Sequence, residues 1–398
     1  MQILISAGEA SGEMYAAQLI EALRRAHLGT SNVHVGTAAP GRPAERSSAA
    51  LEFFGVGGPR MRAAGCDSIV DSTDLAVVGI TEILAHLPKI WGLFHKLIAE
   101  ADRRKPDLAI VIDSPAFNWR VAREMHKRGI PVAYYVAPQF WAWRQGRVRL
   151  LRDYITKALV IFPFEEKFYR DRGVDATFIG HPLADLPKPD ILRETYASQH
   201  HLDLNKHWIA LMPGSRVKEV RMNLPEMLAA AAQLGANYEF LLPVASTLNP
   251  QLLNSLIGNN NIHLVPEALP ALALSRAGII ASGTATVEAA MMNIPFLMVY
   301  RVTPLTYLLG KSRVKVPHFA MVNLIAEREI VPELVQHDFT VEKIVAQMKQ
   351  IIPDGPARSA MLAGLAEVRA RLGEGAGHIP AADRAADAIL ALFRGKNV

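Results

Sequence analysis

The sequence lacks most features that would staple or tether a chain. One cysteine, Cys66, stands among 398 residues, which excludes an internal disulfide framework and a multi-cysteine metal site. No run of about 18 uncharged apolar residues occurs, so no membrane-spanning helix is expected. Met1–Ser6 shows no basic stretch ahead of a long apolar one, so no secretory signal is read and a reducing, cytoplasmic home fits. Neither sign of charge dominates. Lys and Arg total 43 against 38 Asp and Glu, a net +5 that suits an anionic surface or substrate without demanding one. No Gly-x-Gly-x-x-Gly follows the first apolar run, which argues against a dinucleotide fingerprint. No Asp-x-Asp pair stands out, so metal-independent chemistry without a cofactor is expected.

What is present is a folded composition, half hydrophobic and one-fifth charged, with length enough for two domains. Short apolar runs alternate with amphipathic stretches. Gln2–Ser6, Asp107–Ile112, Val132–Val136 and Lys157–Ile161 read as strands, with helices at Gly12–Arg25, Phe117–Lys127 and from Pro163 to Gly173. A proline-rich break, Gly180-His181-Pro182 to Pro187-Lys188-Pro189, interrupts the pattern. It restarts with strands at Trp208–Met212, Tyr238–Leu242, Ile262–Val265, Gly278–Ala281 and Pro295–Tyr300, and ends in helices at Thr340–Ile351, Pro356–Leu372 and Ala381–Phe393. This spacing predicts an α/β protein of two doubly wound Rossmann-like domains, 1–183 and 184–398, facing each other across a cleft. The last helices are free to pack back on the first domain or on a partner chain. Ala38–Ala50, rich in Ala, Pro, Arg and Ser, reads as a surface loop.

Two strand–turn–helix junctions in the second half suit phosphate. Pro213-Gly214-Ser215-Arg216, with Glu219 behind it, follows one strand. Its backbone N–H groups and helix dipole favour an anion, and Arg216 can grip one with two parallel bonds. An ordinary turn with a solvated arginine fits equally. Ser282-Gly283-Thr284-Ala285 follows another strand, with Glu288 about one turn on, placed to accept from ribose hydroxyls. A capped helix with a surface glutamate is the plain alternative. Asn323 could hold a phosphate or sugar hydroxyl, or cap a turn.

In the first half, Gly8-Glu9-Ala10-Ser11-Gly12 follows the first strand, and its glycines allow close approach to a ligand. Glu9 suits sugar binding or proton transfer, or a plain helix start. Asp113 directly follows the apolar Ala109-Ile110-Val111-Ile112. It reads as a general base, with a helix cap as the alternative. Tyr134–Arg144 interleaves aromatics with basic residues, which suits sugars, acyl chains, a phosphate or single-stranded nucleic acid, or a plain aromatic core edge beside a solvated basic helix. Leu84, Leu87, Trp91, Phe94, Leu97 and Ile98 recur at helical spacing, as a membrane-facing stripe or as core.

Taken in order, Ala7–Gly12, Tyr134–Gln145, Phe178–Pro182, Pro213–Arg216 with Glu219, and Ser282–Ala285 with Glu288 resemble the lipid-A-disaccharide synthase family, from residue 2 to about residue 335. The resemblance implies a GT-B fold and transfer of 2,3-diacylglucosamine from its UDP derivative to the 6-hydroxyl of 2,3-diacylglucosamine 1-phosphate (lipid X). It implies a peripheral enzyme at the inner face of the cytoplasmic membrane; no nucleic acid partner is expected, and the oligomeric state is left open, a homodimer included. Asp113 and Glu9 would be catalytic. Gly214, Ser215, Arg216, Glu219, Ser282, Gly283, Thr284, Ala285, Glu288 and Asn323 would bind the UDP-sugar. Gly8, Ser11, Gln139, Trp141 and Arg144 would bind the acceptor. Two departures lie on the acceptor side: Glu13 replaces the usual Asp, and Ala116 stands near where a second acidic residue often lies.

Rival classes remain. A non-hydrolysing UDP-sugar 2-epimerase would share the fold, but the Trp141/Trp143 segment and the Leu84–Ile98 stripe speak against it. A two-lobed solute-binding protein would need export. A nicotinamide dehydrogenase would need the absent glycine fingerprint.

Overall fold

A computed structural model describes residues 1–8, 10–33, 51–75, 80–245, 247–303, 307, 316–373 and 379–394. The chain divides into two compact units, Met1–Pro182 with Gly377–Val398, and Leu183–Ala376.

The first unit holds seven strands: β1 (Gln2–Ala7), β2 (Glu52–Gly57), β3 (Cys66–Asp71), β4 (Leu108–Ile112), β5 (Val132–Tyr135), β6 (Lys157–Val160) and β7 (Ala176–Phe178). All pairings are parallel, in the order β3-β2-β1-β4-β5-β6-β7. Every residue of β4 is fully buried, as are Ile3, Leu4 and Ile5 of β1. Helices therefore cover both faces, and the central strands read as unbroken apolar runs. Helix Ala10–Val33 follows β1, and helix Pro115–Lys127 follows β4. The C-terminal helix, Ala381–Arg394, returns to this unit and packs on Ala10–Val33, where Arg25 meets Asp383 at 2.7 Å.

The second unit repeats the plan with β8 (His207–Met212), β9 (Tyr238–Pro243), β10 (Ile262–Val265), β11 (Ala277–Ala281), β12 (Phe296–Tyr300) and β13 (Glu333–Val335), in the order β10-β9-β8-β11-β12-β13. One side of its core gathers Trp208, Leu241, Val265 and Ala271. The other gathers Val220, Leu224, Leu242 and Leu253.

Strands β2, β3, β7 and β13 carry no clear signal in the sequence. Gly55 and Gly57 interrupt β2, polar Asp67, Ser68 and Asp71 break up the edge strand β3, and β7 and β13 are three-residue edges. Ala38–Ala50 lies outside the described residues.

In each sheet the order reverses once. β1 lies beside β4, and β8 beside β11, while the connections wind outward on either side. Open α/β sheets bind ligands at the carboxyl ends of the strands flanking such a reversal.

Candidate active site

At the first reversal, β1 runs into Gly8 and β4 into Asp113 and Ser114, and the two turns touch. A Cβ on Gly8 would sit 2.7 Å from the Ser114 hydroxyl, and one on Gly12 would sit 3.8 Å from the Asp113 Cβ. Asp113 and Ser114 both adopt left-handed backbone, with φ of 48° and 45°. Such residues each cost of order 1–3 kcal/mol and persist where neighbours over-determine them. Buried Asn118, on the following helix, donates to the carbonyls of Ile112 (2.8 Å), Asp113 (2.9 Å) and Ser6 (3.2 Å). The Tyr134 hydroxyl donates to the same Asp113 carbonyl at 2.8 Å. Burial, with the nearby Asp113 charge, holds that phenol well above its ordinary range, so it stays a donor. The Asp113 side chain is only half-buried.

Glu9 lies outside the described residues. Ser11 is half-buried in the first turn of helix Ala10–Val33. Glu13, the longer residue at the first departure, is spent on the fold: its carboxylate accepts the Arg60 N–H at 2.7 Å, at the start of helix Pro59–Ala63. Ala116, at the second departure, is exposed on helix Pro115–Lys127.

After β5, Gln139 is half-buried and Arg144 exposed. Trp141 is turned into the first unit's core. It is 7% exposed, its indole N–H donates to Glu165 at 2.7 Å, and its ring meets Phe162 and Phe164 edge-on. The Glu165 carboxylate also accepts the backbone N–H groups of Ile161 and Phe162. Burial outweighs these bonds and pushes its carboxyl up to about 7. Trp141 thus anchors the loop that carries Gln139 and Arg144. His181 is equally buried, against Phe162, and burial lowers its imidazole to about 3.

At the second reversal, β8 runs into Pro213–Arg216 and β11 into Ser282–Thr284. Gly214 has φ of 122°, and a Cβ there would lie 2.6 Å from the Glu219 carboxylate. Glu219 accepts the Ser215 N–H (3.2 Å) and pairs with Arg216 (3.0 Å), whose side chain is 63% exposed. Buried Asn223 donates to the Pro213 carbonyl at 2.8 Å. In the other turn, the Ser282 hydroxyl donates to Phe319 O, and Gly283 faces open space at φ 141°. Thr284 is exposed and Ala285 half-buried, and burial raises the Glu288 carboxyl above its ordinary value. Tyr300, at the end of β12, stacks on Phe319 with centroids 6.0 Å apart. Burial and the Glu219 charge both raise its phenol.

Asn323 is likewise turned inward. It is fully buried, and all its bonding capacity is used within the fold. Its amide donates to Val331 O and Glu333, and its oxygen accepts from Ile330 N and Val331 N. No group is left to hold a phosphate. Asn118, Asn223 and Tyr300 were invisible as site residues in the sequence.

A family model described as lipid-A-disaccharide synthetase matches residues 3–370. A lipid-A-disaccharide synthase from Koribacter versatilis (strain Ellin345) is 50% identical over 402 residues, covering 100% of each chain. The chain belongs to the lipid-A-disaccharide synthase family. It is therefore a glycosyltransferase, and the resemblance read from the five motifs holds over nearly its whole length. Solved structures add the fold. The calicheamicin glycosyltransferase superposes with a TM-score of 0.59 at 14% identity, covering 100% of this chain and 99% of that one. The UDP-GlcNAc 2-epimerase from Neisseria meningitidis, bound to UDP-GlcNAc, gives 0.57 at 14%, covering 99% and 100%. Transferase and epimerase share the GT-B fold, so shape does not separate them; membership of the lipid-A-disaccharide synthase family does. The family also removes the solute-binding and dehydrogenase alternatives. No helix among the described residues is long and apolar enough to cross a membrane.

Proposed function

We propose that the first unit supplies the acceptor site and general base, and the second unit the UDP-sugar site, of a single-displacement transfer. The reaction follows from the family: UDP-2,3-diacylglucosamine and lipid X give the β-1′,6-linked disaccharide 1-phosphate and UDP. The observation that carries the assignment of roles is the placement of a half-exposed carboxylate, Asp113, on an over-determined left-handed turn at one sheet reversal, with Arg216 and two glycine-bearing turns at the other.

Asp113 takes the proton from the acceptor 6-hydroxyl as that oxygen attacks the anomeric carbon. The bond to the UDP oxygen breaks, and UDP leaves with the electron pair. Inversion follows from attack opposite the leaving group. Arg216 stabilises the diphosphate charge that develops. Its exposed pair with Glu219 is worth at most ~1 kcal/mol, so a diphosphate displaces Glu219 at little cost. Gly283, Thr284 and Ala285 line the diphosphate turn, and Glu288 accepts from the ribose hydroxyls. Gly8, Ser11, Gln139 and Arg144 contribute to the acceptor site.

The lipid substrates call for work at a membrane surface. Supporting this, Trp91 is 46% exposed on helix Ile80–Arg104, where His95 and Lys96 are also exposed. On the same helix Phe94, Leu97 and Ile98 are buried, so that part of the apolar stripe is core. The side chains of Leu84 and Leu87 lie outside the described residues. The protein docks from the cytoplasmic side without crossing.

The test is incubation of the protein with both substrates in EDTA, followed by mass spectrometry. Disaccharide and UDP are expected. Product only after magnesium is restored would keep the reaction and reject the metal-free mechanism. No product under either condition would reject the proposal.

A further inference from the structure

Asp113 is held by a buried device whose central residue, Asn118, lies in none of the motifs. We propose that Asn118 is the positioning residue of the Asp113 carboxylate, acting with Ser6 and Tyr134. The inference rests on the reading of Asp113 as the base and adds how its place is fixed.

The geometry starts at Ser6, the fully buried penultimate residue of β1. Its hydroxyl donates to Asn118 Oδ1 at 2.7 Å. The three carbonyls on the other side settle which end of the amide is oxygen, because the reverse orientation would set the oxygen against them. The amide nitrogen then reaches Ile112 O, Asp113 O and Ser6 O. One side chain thus ties the end of β1 to the end of β4, across the sheet reversal. Tyr134 brings the Asp113 carbonyl a second donor, so both lone pairs of that oxygen are taken.

These bonds oppose a real cost. The next residue, Ser114, is left-handed as well and precedes Pro115, a position that disfavours helical backbone. Without the amide, the turn is free to relax towards ordinary backbone, and the Asp113 Cβ swings with it. Displacement of a catalytic group by about 1 Å costs on the order of 10²-fold in rate. Asn118 itself is fully buried and cannot touch a substrate. Its effect must pass through Asp113.

The experiment is a double-mutant cycle in the disaccharide assay, with Asn118→Ala, Asp113→Asn and the double variant, each checked for its thermal midpoint. Asn118→Ala is expected to lower kcat by ~10²-fold while KM for both substrates stays within ~3-fold. The double variant is expected to be no slower than Asp113→Asn alone, within ~2-fold. Wild-type kcat in Asn118→Ala would overturn the proposal. So would losses that multiply in the double variant, since these would mark a general fold effect. If Asn118→Ala does not fold, Ser6→Ala decides. It removes the bond that orients the amide while leaving the carbonyls their donor, and ~3–10-fold lower kcat with unchanged KM is expected; an unchanged kcat overturns the proposal. Near-normal kcat in Asp113→Asn would reject the base itself, in a protein whose Asn118 is intact, and so is distinguishable from failure of the positioning role.

Discussion

The two sheet reversals solve the same topological problem with opposite chemistry. At β1/β4 the turn after β4 is made by non-glycine residues in left-handed backbone, packed against Gly8 and fixed from beneath by buried Asn118 and Tyr134. At β8/β11 the turns are made by Gly214 and Gly283, and the charges, Arg216 and Glu219, stand in solvent. Each unit uses a buried asparagine at the strand end, Asn118 in one and Asn223 in the other. Asn118 spends its amide on three carbonyls and Asn223 on one. The difference matches the task proposed for each. A base must be held in hydrogen-bond reach of the hydroxyl it deprotonates, to within a fraction of an ångström of the productive geometry, whereas a diphosphate is a diffuse charge that a solvent-exposed guanidinium can meet in several ways.

The largest effect expected from breaking this comparison is at Asp113. Asp113→Asn keeps shape and loses basicity, so kcat should fall by ~10²-fold or more. UDP affinity, measured by calorimetry, should stay at the wild-type value, because the second unit is untouched. Near-normal turnover would remove Asp113 from the role, and a loss of UDP affinity would undo the division of labour between the units.

Asn323 comes next, and its effect is on stability. Asn323→Ala strips donors and acceptors from buried partners, at about 1–3 kcal/mol each, partly offset by relaxation. A clear fall in thermal midpoint with unchanged UDP affinity is expected. A stable variant with weakened UDP binding would restore Asn323 to the nucleotide site and make the second reversal more like the first.

Asn323 also shows what the sequence could not display. Where a strand ends in a small-residue turn is legible from apolar runs and punctuating glycines, which is why Asp113, Arg216 and Ser282 were found at strand ends. Whether a polar side chain there is free to meet a ligand depends on partners distant in sequence. Asn323 is used up by Glu333 and Ile330, and Trp141 by Glu165. Asn118 hides for the same reason. On an amphipathic helix it looks like one more polar residue, and only the pairing of β1 with β4 puts it under Asp113. Strand β2, buried between β1 and β3, went unread because Gly55 and Gly57 break its apolar run, and the edge strand β3 because polar residues interrupt it.

The Trp141–Glu165 anchor sharpens the comparison through pH. The carboxyl of Glu165 is raised in the folded state to about 7. A group so raised contributes its stability below its unfolded value, near 4.5, and loses it as pH rises through about 7. The span corresponds to at most ~3 kcal/mol. Glu165→Gln does not titrate, so the stability gap between it and the wild type should narrow from about pH 5 to about pH 8. Thermal midpoints of both proteins across that range provide the check. A gap that stays constant over that range would mean that the three N–H donors hold Glu165 ionised throughout.

The smallest effect is expected at Arg216, and it tests the solvent-exposed half of the contrast. Arg216→Ala should weaken UDP binding by ~10-fold, the lower end for one charge-assisted hydrogen bond. Because the guanidinium is 63% exposed, its share of the binding should fade as salt rises and the screening length shrinks from ~10 Å at 0.1 M towards ~3 Å at 1 M. Wild type and variant should therefore converge at high salt. The kcat loss of Asp113→Asn, which arises from a missing base rather than from attraction at a distance, should not change with salt. A wild-type advantage in UDP binding that persists at 1 M salt would place Arg216 in a desolvated contact. The two reversals would then be alike in burying their working groups once the nucleotide is bound.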